Sequence, residues 1–220
     1  MTTAPVCAVV AGTSYIGFDQ SLWVSANPKY YVADATSNYV YRTGLANKYN
    51  YAAMLARVRS AVNPAVIGSV NLGDSPVGWT SASGAYWAWV QGPVSITGGT
   101  ITNSKLILLV DGAVTISGNI TVGTWNTGSV VIISGGNITL GSGVTRLDGI
   151  YMTDGRFVTG SGGPLTVNGS VTAWTDFTLS RSAVDNSVDP AEIFNFVPDF
   201  VVNLPAPVQR RHIIQELENP

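Results

Sequence analysis

The chain has 220 residues, a formal net charge of −2 and a pI near 5.2, and only 11% of its residues are Asp, Glu, Lys or Arg. This weakly acidic balance excludes the positive surface with which proteins bind nucleic acids or anionic membranes. No run of 18 apolar residues predicts a transmembrane helix, and a single cysteine, Cys7, excludes an intramolecular disulfide.

Gly, Ser, Thr and Asn take the place of charged residues on the expected surface, which is typical of β-rich extracellular proteins. We therefore expect an extracellular or cell-surface location. The first residues, MTTAPVCAVVAG, lack the basic segment and the apolar length of a signal peptide, so we expect any leader or anchor to lie outside this sequence.

Residues 1–89 are predicted to form an N-terminal cap region of short strands and one helix. The strands are expected at residues 6–10, 15–18, 30–32 and 39–41. An amphipathic helix is predicted over residues 47–61 and ends at Asn63-Pro64, and we expect it to pack on a sheet. The apolar side of this helix is formed by Tyr51, Met54, Leu55, Val58 and Val62.

An aromatic stretch at residues 78–89 closes this region and has two interpretations. It contains Trp79, Tyr86, Trp87 and Trp89, separated by small residues. The rings either cover the open end of a stack of strands, where an unpaired edge must be protected, or form a platform on which sugars stack. We favour the cap.

Residues 90–180 contain a repeated phrase, apolar–Thr–apolar–x–Gly–x–apolar–Thr–apolar, which predicts two short strands joined at a Gly corner. The repetition favours a mainly β fold, a right-handed parallel β-helix, in which each coil stacks on the one before. An antiparallel β-sandwich is the alternative, because Asp-Gly and Asn-Gly pairs also favour hairpins. Runs such as LILLV and VVII predict strands that are covered on both faces or that turn at a corner. The copies span residues 94–102, 114–122, 132–140 and 165–173.

Residues 181–220 no longer repeat and are predicted to form a C-terminal wrapping segment and tail. We expect one helical turn at residues 190–196 with Asp189 as its N-cap, followed by an extended segment at 197–204 that wraps the last coil.

Few residues suggest chemistry. His212, the only histidine, lies in the tail, so we assign no catalytic residues. Asp111, Asp148 and Asp154 each precede a glycine, and stacked corners could bring two of them together as a carboxylate pair for glycoside hydrolysis or, with carbonyl oxygens, for Ca²⁺ binding. The preference of Asp for Asp-Gly turns accounts for all three without such a site, and we expect no other cofactor.

Aromatic residues in the repeated region suggest a glycan-binding groove. Trp125 lies in the turn GTWNTG, where a core role is not evident from the sequence. Surface glycans and other surface proteins are the partners that we expect, and the sequence leaves the oligomeric state open. The proposed groove is lined by Trp125, Trp174, Tyr151 and Trp87.

The order of these motifs resembles that of uncharacterised bacterial cell-surface β-solenoid proteins, over residues 80–205. The resemblance implies an exported location and no known activity. It is more distant to pectate-lyase-like β-helices and to the filament-forming bactofilins. We therefore expect a non-catalytic structural or adhesive component of a surface protein or appendage. Alternatives are a carbohydrate-binding or carbohydrate-active module and a self-assembling filament protein. The motifs are SGAYWAWVQGPVSI, KLILLVDGAVTISGNI, GNITLGSGVTRLDGIYMTDG, GPLTVNGSVTAW and PAEIFNFVPDFVVNLP.

Overall fold

The computed structural model describes residues 50–183 and 190–209, together with the backbone of a two-stranded hairpin near the N-terminus. These residues form a parallel β-solenoid of about 6 turns with few helices, which confirms the predicted fold class. The antiparallel sandwich is wrong, because Gly149 pairs with Gly169 in a parallel ladder rather than turning a hairpin. Tyr86 pairs with Leu106 in the same way, so a coil there takes 106 − 86 = 20 residues.

Three parallel ladders run along the solenoid. The long sheet has the order β17-β15-β13-β11-β8-β5-β3, with β4 antiparallel on β5, and we number the six coils by β5, β8, β11, β13, β15 and β17. A second ladder joins β7, β10 and β13, and a third has the order β16-β14-β12-β9-β6. The strands are β1 (Val10–Ala11), β2 (Ser14–Tyr15), β3 (Ala65–Val66), β4 (Thr80–Ala82), β5 (Ala85–Val90), β6 (Val94–Ile96), β7 (Gly99–Ile101), β8 (Lys105–Val110), β9 (Val114–Ile116), β10 (Ile120–Val122), β11 (Ser129–Ser134), β12 (Ile138–Leu140), β13 (Arg146–Thr153), β14 (Arg156–Val158), β15 (Leu165–Ala173), β16 (Asp176–Thr178) and β17 (Glu192–Asn195), and the helices are α1 (Tyr51–Ala61) and α2 (Pro198–Val202).

The repeated phrase does not have one structural meaning. The first two copies form strand, corner and strand as predicted, β6 with β7 and β9 with β10. The third copy is displaced by one strand and joins β11 to β12. The fourth is a single nine-residue strand, β15, bent at Gly169 with a φ of 137°. The prediction of two strands in every copy is therefore wrong, since a bend within a paired strand replaces the corner.

Apolar residues of the phrase point inward and its threonines outward, as the alternation predicts. Val114 and Ile116 are completely buried, whereas Thr115 between them is exposed. On the neighbouring ladder, the hydroxyls of Thr100 and Thr121 lie 2.9 Å apart in adjacent coils. Each buried Val or Ile contributes about 1.5–3 kcal/mol, so the stacked interior is the main source of stability.

The long sheet is covered on its outer face by α1. The carboxamide oxygen of Asn50 caps the helix by accepting a hydrogen bond from Ala53 N–H at 2.8 Å. Met54 and Val58 pack against Ile107 and its neighbours, so β8 and β11 are buried on both faces, as their unbroken apolar runs predicted. The prediction of a helix packed on a sheet is confirmed. No helix among the described residues is long and apolar enough to span a bilayer.

Two predictions about the secondary structure of the C-terminal segment are wrong. Residues 192–195 form strand β17, which pairs with β15, where a helical turn was expected. The expected extended segment instead contains α2, with Pro198 in its first turn. Rather than wrapping the last coil, this segment returns along the stack, and Lys105 Nζ of the second coil donates to Asn203 O at 2.8 Å. Asp189 and His212 lie outside the described residues, as do most of the strands predicted before residue 42. The ladders extend beyond residues 90–180 on both sides, from β3 to β17.

Candidate functional site

Asp148 is the most heavily bonded side chain of the predicted site residues. Its carboxylate is fully buried and accepts hydrogen bonds from Arg146 Nε at 2.9 Å and Arg146 Nη2 at 2.8 Å. The backbone N–H of Val122 donates to it at 2.9 Å and Nδ2 of Asn168 at 2.8 Å. The hydrogen bonds to Asp148 raise the pKa of Arg146. Four donors therefore surround this carboxylate, which holds two ladders together.

A row of polar side chains extends from Asp148 toward the C-terminal end. Asp148 and Asn168 are register partners in β13 and β15, and Asn168 is paired with Asn195 of β17. Nδ2 of Asn195 donates to Oδ1 of Asn168 at 3.0 Å, and Asn168 donates in turn to Asp148. All donors point the same way, because the carboxylate at the start of the row can only accept. We call these three residues the amide ladder.

Asp154 has a different task, since it anchors α1 to the solenoid. Its Oδ1 accepts a hydrogen bond from Tyr51 N–H at 2.9 Å, at the positive end of the helix dipole. Burial raises the pKa of Asp154.

By the strand register, Gly135 occupies the same corner position one coil earlier, and the Tyr51 ring packs there, 3.1 Å from where a Cβ on Gly135 would lie. Burial also raises the pKa of Tyr51 to about 12, although its hydroxyl accepts a hydrogen bond from Trp89 Nε1.

The three corner aspartates do not form one site. Asp111 is exposed beside the β8–β9 corner, Asp148 lies inside strand β13, and Asp154 caps α1. Within residues 50–183 and 190–209, no group of three or more His, Cys, Asp or Glu side chains could hold a metal ion. By the strand register, Asp111 and Asp154 occupy the same corner position two coils apart, with Gly135 between them, whereas Asp148 lies at a different position inside β13.

Two of the four predicted glycan-binding aromatic residues are inaccessible. Trp87 is completely buried beneath α1 and donates from Nε1 to Ala82 O at 2.8 Å. Tyr151 is completely buried in the solenoid interior, where burial raises its pKa well above the ordinary value, and its hydroxyl donates to Asp148 O at 3.0 Å. A sugar cannot stack on either ring, so this part of the predicted groove is wrong.

The other two rings are partly accessible. Trp174 is half-buried at the corner after β15, and its Nε1 is buried with no hydrogen-bond partner among the described residues. Trp125 is 36% exposed, and its ring lies 5.9 Å from that of the buried Phe200 in α2. Trp125 thus has a packing role that the sequence did not reveal, while one part of its ring remains open to solvent.

The aromatic stretch at 78–89 builds the first coil and its cover. β4 pairs antiparallel with β5, and β3 pairs parallel with another part of the same strand, so β5 is not a free edge. Arg59 of α1 lies over the Trp89 ring at 4.8 Å, a cation–π contact that ties the helix to this coil. This arrangement supports the cap interpretation.

Three features were missed by the sequence predictions. Asp74 accepts hydrogen bonds from the backbone N–H groups of Thr102, Asn103 and Ser104 at 2.8, 2.8 and 3.0 Å. These bonds, chiefly the one from Asn103, lower the pKa of Asp74, which borders an open cleft of about 320 Å³ beside Trp79. The sequence around Asp74 carries no local signal that this residue contacts the backbone of residues 102–104 in a neighbouring coil.

The second missed feature is Arg181, a nearly buried arginine that closes the corners of two coils. Its guanidinium donates to the carbonyl oxygens of Thr159 at 2.8 Å and Gly141 at 2.9 Å. Burial lowers the pKa of Arg181, and the backbone N–H of the same residue donates to Glu192 Oε1 at 2.9 Å. The third missed feature is a group of exposed apolar side chains at the C-terminal end of the solenoid.

Comparisons with protein-family models, with curated proteins and with solved structures find no match to this chain. The β-solenoid architecture is therefore the part of the resemblance noted above that the structure supports.

Proposed function

We propose that this chain is a non-catalytic structural or adhesive component of an exported bacterial surface protein or appendage. The observation that carries the proposal is the use of its buried and corner charges. Asp148 binds two ladders together, Asp154 anchors α1, and Arg181 closes corners through carbonyl oxygens. Charged groups that a catalytic site would direct at a substrate are here directed at the backbone of neighbouring coils.

The architecture suits a rigid spacer. Main-chain hydrogen bonds run continuously from β3 to β17, and the long sheet is buried on both faces where α1 covers it. A stack of this kind has its edges confined to the two ends and presents few loops for proteolysis. The exported location rests on composition and on the resemblance to cell-surface solenoids, and it belongs to the proposal.

Surface labelling of intact cells tests the location and the role together. An antibody raised against the purified chain should label intact cells of the source organism, and mild external proteolysis of the cells should leave a solenoid-sized fragment. Labelling that requires permeabilised cells would contradict the proposal. So would rapid degradation of the whole chain by external protease under conditions in which other surface proteins survive.

Glycan binding is the second candidate, and the partly exposed ring of Trp125 is the observation that favours it. Glycan-array binding by the native protein should then disappear in Trp125→Ala, while far-UV circular dichroism shows that the solenoid stays folded although the contact with Phe200 is lost. Val66→Ala is the control, since Val66 is 60% exposed on β3 at the N-terminal end of the solenoid. If neither protein binds any glycan on the array, this candidate is rejected and the structural proposal is unaffected.

A further inference from the structure

An open cleft lies beside the first coil of the solenoid. It has a volume of about 320 Å³, and its lining residues all come from one loop between β3 and β4, from Ser69 to Trp79. Pockets for small ligands have volumes of about 300–1,000 Å³, so this cleft has room for a small ligand rather than for a long chain. The structural role proposed above does not use it.

Contacts with the neighbouring coil hold this loop in place. Oδ1 of Asp74 accepts hydrogen bonds from the three backbone N–H groups of residues 102–104, at the corner that precedes β8. The backbone of Leu72 lies so close to β7 that a Cβ added to Gly99 would be 2.7 Å from the Leu72 carbonyl oxygen. The cleft is therefore formed before a ligand arrives, and binding does not have to order the loop.

The walls of the cleft are of two kinds. Trp79 and Leu72 provide apolar surface, and both are partly buried against the hydrophobic core, which fixes their positions. Ser69, Asn71 and Ser75 supply hydroxyl and amide groups that can both donate and accept hydrogen bonds. A ligand that fits such walls has an apolar face and a rim of hydroxyl groups, which is the chemistry of a sugar ring.

Asp74 is the only charged residue among those that line the cleft. Its hydrogen bonds, chiefly the one from Asn103, lower the pKa of Asp74, so the carboxylate is charged at neutral pH. The three backbone N–H groups all donate to Oδ1, and Oδ2 can therefore accept from a hydroxyl group of a ligand. This carboxylate would repel an anion, while a cation would find its negative charge already shared by three donors.

We propose that the cleft binds a neutral saccharide, either a single sugar or the end of a glycan chain. One face of the sugar ring lies on the indole of Trp79, and a hydroxyl group donates to Oδ2 of Asp74. The indole face carries partial negative charge and attracts the C–H groups of a sugar, which the neighbouring oxygen atoms make partly positive. This site is separate from Trp125, and it does not depend on the structural role or on glycan binding at that ring.

Saturation-transfer NMR on the full chain tests the site. The probes are glucose, galactose, mannose and N-acetylglucosamine. At least one of them should receive saturation from the protein with a dissociation constant in the millimolar range, which is typical of one ring in an open cleft. The same sugar should shift the indole N–H signal of Trp79 and the amide signals of residues 102–104 in an isotopically labelled chain.

Two variants remove the proposed contacts one at a time. Asp74→Asn keeps an oxygen for the backbone N–H groups but loses the negative charge, so it should weaken sugar binding about fivefold to tenfold. Trp79→Leu keeps an apolar side chain against the core but removes the aromatic face, and it should weaken binding about threefold to tenfold. Far-UV circular dichroism checks the fold of each variant, and Asp74→Asn decides the test alone if Trp79→Leu does not fold.

Two controls should bind the sugar as the native chain does. Asp111→Asn makes the same change at an exposed aspartate on another corner, and Trp125→Ala removes the other candidate ring. Loss of binding in Trp125→Ala, with Asp74→Asn unaffected, would assign the sugar to Trp125 and overturn the proposal.

Three further results would also overturn it. The first is that none of the four sugars receives saturation. The second is that the native chain, Asp74→Asn and Trp79→Leu bind a sugar equally well. Tetramethylammonium chloride gives the third, because a shift of the Trp79 indole signal at a lower concentration of this salt than of any sugar would assign the cleft to a cationic ligand.

Discussion

Arg146 and Asp148 allow a quantitative test of the amide ladder. Arg146→Met leaves the fully buried carboxylate of Asp148 with two donors, Val122 N–H and Asn168 Nδ2, and no positive charge. Removing one partner of a buried ion pair costs about 3–5 kcal/mol. Because the Arg146 side chain is 43% exposed and partly hydrated, we expect the lower end, about 3 kcal/mol of lost unfolding free energy.

Asp148→Asn has a different consequence. Each carboxylate oxygen of Asp148 accepts from Arg146 and from one further donor, so the new NH₂ group faces two donors in either orientation. One of these donor–donor contacts is removed if the hydrogen bonds of the amide ladder reverse direction. The new amide then donates to Asn168, and Asn168 donates to the exposed Asn195. The clash with Arg146 remains, and the lost charged hydrogen bond costs about 1.5–3 kcal/mol.

The double variant is the informative one. With Arg146 replaced by Met as well, the reversed ladder satisfies every buried group, since the amide oxygen still accepts from Val122 N–H. We therefore expect the double variant to be more stable than Arg146→Met alone, by about 1–2 kcal/mol. Urea unfolding followed by tryptophan fluorescence and far-UV circular dichroism measures all four proteins, and Arg156→Met is the control, because Arg156 is exposed at the start of β14. Single-variant losses that simply add in the double variant would refute the reversible ladder.

Three further predictions follow from local geometry. Gly169→Ala should lower the unfolding free energy by about 2 kcal/mol or more, because φ is 137° and a new Cβ would meet the Gly149 carbonyl oxygen. Gly163→Ala is the control and should change stability little, because the space around Gly163 is open. Equal shifts of the melting temperature in the two variants would contradict this prediction. Asp154→Ala should lower the unfolding free energy by about 1 kcal/mol, because it removes the acceptor for Tyr51 N–H. Asp154→Asn keeps an acceptor and removes the negative charge of a carboxylate whose pKa is raised by burial. Calorimetry should therefore find Asp154→Asn at least as stable as the native chain at neutral pH. The neutral form of Tyr51 is favoured in the folded state, since its pKa rises from 10.0 to about 12; stability that is intact below pH 10 should fall between pH 10 and 12, and alkaline urea titrations should find a smaller fall in Tyr51→Phe.

Most contacts of the candidate site could not be predicted from the sequence, because contacts between coils leave no local pattern in it. Asp148, Asn168 and Asn195 are 20 and 27 residues apart, and only the register of β13, β15 and β17 places them in one row. The Asp-Gly pairs looked alike in sequence, yet Asp148 is buried inside a strand and Asp154 receives the N-terminus of a helix. Trp87 is hidden because α1, more than 25 residues earlier in the chain, packs over its strand.

Local patterns did predict the architecture. Alternating Val, Ile and Thr specify one buried and one exposed face, and glycine corners permit the bends, so a stack of short strands follows from the sequence. The unbroken apolar runs of β8 and β11, together with the apolar side of α1, predicted a sheet covered on both faces. The strands and the helix depend on apolar patterns that repeat every two to four residues, so each segment can be predicted from its own sequence.

The C-terminal segment shows where that information ends. Residues 192–195 have no strong preference for a strand, but the open edge of β15 supplies hydrogen-bond partners and makes them one. Once β17 is fixed, Pro198 begins α2, and Phe200 is buried beside Trp125. The sequence therefore determined that the chain stacks in coils, while the placement of its charges, its aromatic rings and its last strand came from tertiary contacts, because those depend on which residues of distant coils meet.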